Sequence, residues 1–319
     1  MLHYLVILLD DTSASYCHYE NHKSEHRLIP IDTLKQGIRF GMMENLMIQF
    51  VYPDFELPQE YKETINSIDH NDIVSSQCED AVLRNHADIV SFNGWTGLDN
   101  YSLDSKKMYV LRTSKADFFE RYQFLKSVLN KISRLNVVIT DVDTFTDDDF
   151  DTYKRILTTL SAEVERLYVE GKSPQLNLLT DRMMLSQMNN CNAGWENITL
   201  APNGKFYVCP AFYHEGAYSI GSLTEGLDIK NPQLYRLDHA PICRNCDAYQ
   251  CKRCIWLNRK MTLEVNTPSH EQCVTAHLER NASRELLQNI RKHGTFLPEQ
   301  EEIKEIDYLD PFDKRDTWQ

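Results

Sequence analysis

Residues 4–19 read YLVILLDDTSASYCHY. The run 4–9 is unbroken aliphatic sequence that empties into Asp10 and Asp11, which predicts a short strand whose C-terminal end opens into a polar loop. Five further β-branched or aliphatic runs follow, at 46–51, 89–92, 108–111, 137–140 and 176–179. Between them, 32–44 carries Leu34, Ile38, Met42 and Met43 at helical spacing, and 115–133 carries Phe118, Phe119, Tyr122, Leu125, Leu129 and Ile132. A third amphipathic stretch, 148–170, aligns Ile156, Leu160, Val164 and Leu167. Strand and helix in alternation specify an α/β fold around a parallel sheet. The spacing suits either a partial (β/α) barrel or a doubly wound sheet, and the pattern does not choose between them.

The chain has 319 residues, 42% hydrophobic and 25% charged, enough for a large core and against disorder. Lys and Arg number 34 against 47 Asp and Glu, a net charge of −13 that argues against a nucleic-acid or anionic-membrane partner. No stretch is long enough to span a membrane, and the start lacks the basic leader of a signal peptide, so a cytoplasmic protein is expected. A reducing compartment does not keep nine cysteines as disulfides; crowded cysteines there mean metal or catalysis.

Cys17 and Cys78 stand alone, whereas seven cysteines fall between 191 and 273. Their spacing is Cys191-x12-Gly204-x4-Cys209, then Cys243-x2-Cys246-x4-Cys251-x2-Cys254, then Cys273. A Cys-x2-Cys pair lets two thiolates converge from one tight turn. Two pairs only four residues apart leave little loop for a zinc ribbon to bring its knuckles face to face, while such crowding does occur in two-cluster ferredoxins. Two [4Fe–4S] clusters need about eight ligands, and this segment offers seven cysteines. The remaining position could be taken by His214, His239, Cys17 or a substrate; zinc on four of the cysteines is the alternative. The segment 195–208 (WENITLAPNGKFYV) reads as a β-hairpin, with Asn203-Gly204 favouring a type I′ turn that would return Cys209 towards Cys191.

This seven-cysteine pattern resembles the SPASM domain at the C-terminus of radical S-adenosylmethionine enzymes that modify peptides, over about 190–280 and with the last two intervals of the four-cysteine run each one residue short. The resemblance implies a partial (β/α) barrel of radical SAM type followed by a small SPASM-like iron–sulfur domain, with a barrel at 1–185, the cysteine-rich domain at 186–285 and an acidic tail at 286–319. It implies one auxiliary cluster on Cys191, Cys209 and Cys254 and another on Cys243, Cys246, Cys251 and Cys273.

A radical SAM enzyme also needs Cys-x3-Cys-x2-Cys after its first barrel strand. Here the segment 10–19 keeps the place and the Tyr-Cys-x-Tyr ending, but Asp10 and Ala14 stand at the first two ligand positions and only Cys17 remains. The Gly-Gly-Glu-Pro stretch after the second strand is similarly replaced, by VYPDFELP at 51–58. The N-terminal part therefore resembles a degenerate radical SAM barrel, without S-adenosylmethionine as cofactor. Together with the opening segment, the pattern is similar to the CXXX repeat peptide maturases. That resemblance implies a role in maturing a ribosomally made precursor peptide with cysteines every four residues, with no catalytic residue assigned. The alternative is a non-catalytic subunit that presents the precursor to a partner enzyme.

Other features read more plainly. Asp141, Asp143, Asp147, Asp148, Asp149 and Asp151 lack the mid-loop glycine and closing glutamate of a calcium loop, and suit a helix N-terminus instead, with Thr146–Asp149 a loose capping box. The stretch 93–97 (NGWTG) reads as a glycine turn, and Cys78 has no assigned role. His270 and His277 flank Cys273 and could reach a cluster sulfur, though a solvated histidine is the default expectation.

Overall fold

The computed structural model describes residues 2–19, 25–188 and 191–297; most of the acidic C-terminal segment lies outside the described residues. Its strands are β1 (Tyr4–Leu8), β2 (Met47–Val51), β3 (Asn71–Ser75), β4 (Ile89–Asn93), β5 (Met108–Thr113), β6 (Arg134–Ile139), β7 (Gln175–Leu176), β8 (Asn197–Leu200) and β9 (Phe206–Tyr207), followed by a two-stranded ribbon, β10 (Gly221–Ser222) and β11 (Gly226–Leu227). The α-helices are α1 (Ile31–Met43), α2 (Gln59–Ile65), α3 (Ala81–His86), α4 (Lys115–Arg121), α5 (Leu125–Leu129), α6 (Asp147–Val169), α7 (Asp181–Met184), α8 (Pro210–His214), α9 (Ile255–Thr262) and α10 (His270–Lys292). The fold is the α/β class expected, with parallel strands. No described helix is long and apolar enough to cross a membrane.

The chain forms two compact units. The first comprises 1–101, 107–112 and 192–239; the second comprises 102–106, 113–191 and 240–319. Both therefore draw on the barrel-like and the cysteine-rich parts of the sequence.

In the first unit β1 to β5 lie side by side in chain order, each parallel to the last. Barrel strands wind this way, whereas a doubly wound sheet reverses direction at a switch point. On the other side of β1 lies β8, also parallel, with Leu5 opposite Ile198, and β9 closes an antiparallel hairpin on β8. Strand β3, NDIVS, is not legible as a strand because only Ile73 and Val74 are apolar, yet both are fully buried.

Helix α1 covers this sheet with a different stripe from the one expected. Leu34, Gly37, Ile38 and Gly41 are buried, while Met42 and Met43 are 62% and 78% exposed. The glycines explain the rotation, because a Cβ at Gly41 would sit 2.8 Å from Ile48 Cδ1 and one at Gly37 would sit 2.4 Å from Leu200 Cδ2. The helix lies closer to the sheet than any side chain there would permit.

The hairpin at 195–208 forms, but not through a type I′ turn, which needs positive φ at both central residues. Gly204 alone has it, at +75°. Ala201 N–H donates to Lys205 O and Gly204 N–H to Ala201 O, so Pro202, Asn203 and Gly204 make a three-residue loop with a left-handed glycine last.

In the second unit β6 pairs with β7 in parallel, with Leu135 opposite Leu176. Strand β7 stops short of the expected 176–179 because Leu179 and Thr180 N–H both turn back to Leu176 O. The expected long helix at 115–133 divides: α4 ends at Arg121, the turn Tyr122–Phe124 tightens to 3₁₀ geometry, and α5 then buries Leu125, Val128 and Leu129. Helix α6 starts at a full capping box, closer than the loose one expected. Asp149 accepts from Thr146 N–H at 2.8 Å while Thr146 Oγ1 accepts from Asp149 N–H. Two other acidic side chains of this stretch tie it to other elements. Asp141 Oδ1 accepts from Lys115 N–H, and Asp143 pairs with Lys260 at 2.9 Å.

Candidate metal centre

The second unit holds six of the seven clustered cysteines and gathers four of them around one cavity. Cys243 opens a 3₁₀ turn, Cys243–Asn245, and Cys246 follows with its N–H on Cys243 O at 3.1 Å, the tight turn that a Cys-x2-Cys pair requires. Cys251 N–H donates to Ala248 O at 2.9 Å, which folds the next stretch back on the first. Cys273 comes from the first turn of α10, capped by Ser269. These four cysteines line a single cavity, together with Arg253, Gln272 and His277. That is the grouping expected for one of the two sites.

Two of the four sulfurs are cradled by backbone donors two residues on. Ala248 N–H points at Cys246 Sγ and Arg253 N–H at Cys251 Sγ, each at 3.4 Å. His277 Nε2 lies 3.6 Å from Cys246 Sγ. This histidine is 5% exposed, so the solvated default fails for it. Cys273 and His277 are four residues apart on one helix and so share a face, the signal by which the sequence could have revealed the pair. His270 instead packs edge-on against Phe150.

Burial pushes the Cys243 thiol up to about 11, with the Arg253 charge acting the other way, and it raises Cys251 further. Thiols raised by burial are not exposed nucleophiles. Four thiols lining one cavity are the soft donor set that a [4Fe–4S] cluster or a zinc ion takes.

The loop is anchored by a buried ionic network. Asp247, next to Cys246, receives Arg280 Nη1 at 3.0 Å and Arg182 Nη2 at 3.5 Å, and its carbonyl accepts from Arg182 Nε. Gln250 Nε2 donates to Ala276 O at 2.6 Å, tying the same loop to α10.

The other expected set is divided. Cys191 and Cys254 belong to the second unit, where Cys191 N–H donates to Lys252 O at 3.2 Å and Cys254 caps α9. Burial raises the Cys254 thiol to about 12, and Cys191 adds to the rise. Cys209 lies in the first unit, at the N-terminus of α8. The candidates for an additional ligand, Cys17, His214 and His239, lie in the first unit as well.

At the C-terminal end of β1 the first unit holds a buried polar cluster that is visible only in part from the sequence. Asp10 is fully buried, and its Oδ1 accepts from Thr12 N–H and lies 3.3 Å from His26 Nδ1. The Tyr213 hydroxyl donates to Asp11. Burial, then this hydrogen bond, raise the Tyr213 phenol. Arg112 donates through Nε to Cys17 O at 2.8 Å, through Nη2 to Tyr19 O at 2.6 Å and through Nη1 to Asn93 Oδ1 at 2.6 Å. Tyr19 stacks on His214 at 5.4 Å. The loop is thus held by a guanidinium on its carbonyls. Its donor set does not fit a three-thiolate cluster, because Ala14 has no ligating atom and Asp10 is bonded within the loop. Cys78 is a buried thiol, raised by burial.

No protein-family model matches the chain, and no curated protein matches it. Solved structures do. The fold is shared with anSMEcpe. Native anSMEcpe with bound AdoMet superposes with a TM-score of 0.60 at 11% identity, over 90% of this chain and 99% of that one. The same protein with bound AdoMet and Cp18Cys peptide gives 0.59 at 11% identity, over 91% and 99%. Its polyhistidine-tagged form with AdoMet gives 0.61 at 10% identity, over 91% and 99%. The likeness extends over nearly the whole of both chains, so the α/β architecture is one that anSMEcpe shares.

Proposed function

We propose that this chain takes part in maturing a ribosomally made, cysteine-repeat precursor peptide, and that Cys243, Cys246, Cys251 and Cys273 hold an iron–sulfur cluster for that purpose. The single observation that carries the reading is the four-cysteine cavity with backbone donors on two of its sulfurs. Peptide as the substrate class is supported by the shared fold with anSMEcpe, a protein solved with bound peptide. A cytoplasmic location suits the thiols.

Within this reading, the residues 186–285 act as a SPASM-like domain, for which the resemblance implies a second cluster on Cys191, Cys209 and Cys254. A bound [4Fe–4S] cluster supplies one-electron transfer and, where an iron lacks a protein ligand, a place for a substrate thiolate. Ala248 and Arg253 N–H hydrogen-bond the cysteine sulfurs and fix their direction. Asp247, clamped by Arg182 and Arg280, sets the loop that presents Cys246. The residues after β1 do not supply the S-adenosylmethionine cluster site, so the chain works without it.

One observation favours a second reading. The loop after β1 is clamped by Arg112 and carries a single thiol, Cys17, which suits a non-catalytic subunit that binds the precursor and presents it to a partner enzyme. An anaerobic incubation with a synthetic peptide carrying cysteine at every fourth residue separates the two. A change in peptide mass without S-adenosylmethionine supports catalysis; saturable binding without a mass change supports presentation. Absence of binding contradicts both.

A further inference from the structure

The wall of the cysteine cavity carries a permanent cation. Arg253 is 1% exposed and is the bulkiest of the fully buried side chains. It faces the cavity alongside Cys243, Cys246, Cys251 and Cys273. Its backbone sits at φ +41°, a region that an L side chain enters only when its surroundings hold it there. In that conformation its N–H reaches Cys251 Sγ at 3.4 Å. One residue thus contributes a hydrogen bond to a ligand and a buried charge to the cavity.

A guanidinium cannot release its proton in a protein. It therefore stays a fixed positive charge against the cavity that the four cysteines line.

We propose that Arg253 is the built-in counter-cation of the cluster on Cys243, Cys246, Cys251 and Cys273, and that it holds this cluster at a more positive reduction potential. The inference rests on the reading of the four cysteines as cluster ligands. Four thiolates around a [4Fe–4S] core leave a net negative charge that grows by one on reduction, so a fixed positive charge nearby favours the reduced state. His277, 3.6 Å from Cys246 Sγ, acts in the same direction when its Nε2 carries the proton. Arg253 is a positioning and tuning residue, not a catalytic one.

The test uses the full chain, purified without oxygen, as wild type, Arg253→Lys and Arg253→Met. Iron and sulfide are measured first, and each protein is then titrated with dithionite while its electron paramagnetic resonance signals are followed. Wild type without iron overturns the ligand reading, and this inference with it, before any variant is compared. With iron present, one couple shifts to more negative potential in Arg253→Met and stays near wild type in Arg253→Lys. Should Arg253→Met fail to retain iron, retention by Arg253→Lys supports the charge role. Equal behaviour of the two variants, in potential or in iron loss, overturns the inference and leaves the ligand reading standing.

Discussion

Cys246 is touched from two sides, by Ala248 N–H and by His277, and the residue between Cys246 and Ala248 is the one that fixes the loop. Asp247 sits between Arg182 and Arg280, and both it and Arg182 are nearly inaccessible to water. Asp247→Ala removes the carboxylate that both guanidinium groups share. Removing one member of a buried ionic network costs about 3–5 kcal/mol. Thermal unfolding should therefore show a large loss of stability, whereas Asp238→Ala, which breaks an exposed pair with Arg236, should barely register. A second residue gives a pH signature away from the cysteines. His70 faces Asp72 through Nε2 at 3.3 Å and Ile68 O through Nδ1 at 2.8 Å. Its contact with the Asp72 carboxylate leads the causes that raise its pKa above 6.5. A histidine with a raised folded-state pKa contributes stability that is fully present below its unfolded value and is lost as pH rises through the folded one. Chemical denaturation across pH 6 to 8, a window placed about the unfolded histidine value, should show wild type losing stability relative to His70→Gln as pH rises. Parallel curves for the two proteins would contradict the ion pair.

Helices make the next set of expectations. The close approach of α1 to the sheet depends on Gly41, whose place beside Ile48 has no room for a side chain. Gly41→Val should destabilise the protein by about 1–3 kcal/mol through overpacking, read as a lower urea midpoint. At the other end of the scale of effects, Thr146→Ala removes the cap of α6 and should cost about 1 kcal/mol, seen as a small drop in the same midpoint. These two elements also mark what the sequence discloses. The existence of α1 and α6 is written in their apolar period. The face α1 buries is not, because Met42 and Met43 continue the period while the glycines decide which side can touch the sheet. Strand β3 is hidden for a similar reason, since its burial comes from neighbours on both sides and not from its own composition. Hairpin β8–β9 is legible from Asn203-Gly204, but Pro202 lengthens the loop and only the structure reveals that.

Across the whole chain, the cysteine spacing names the ligand candidates and the fold places four of them around one cavity. Spacing sets His277 one helical turn from Cys273, but it does not reveal Arg253, whose buried side chain lines the cavity only in the fold. The buried cluster of Arg112, Tyr19 and Tyr213 at the end of β1 is equally hidden, because its members are far apart in sequence and meet only through the sheet. On the function proposed above, the cysteines carry the chemistry and no S-adenosylmethionine cluster takes part. The measurement that tests this most directly is the iron, acid-labile sulfide and zinc content per chain of protein purified without oxygen, for wild type and for Cys251→Ser. The expected result is about eight iron and eight sulfide in wild type, as two four-iron clusters require, with about half lost in the variant and little zinc in either. About one or two zinc per chain without sulfide would contradict the cluster reading and make the cysteines a structural zinc site.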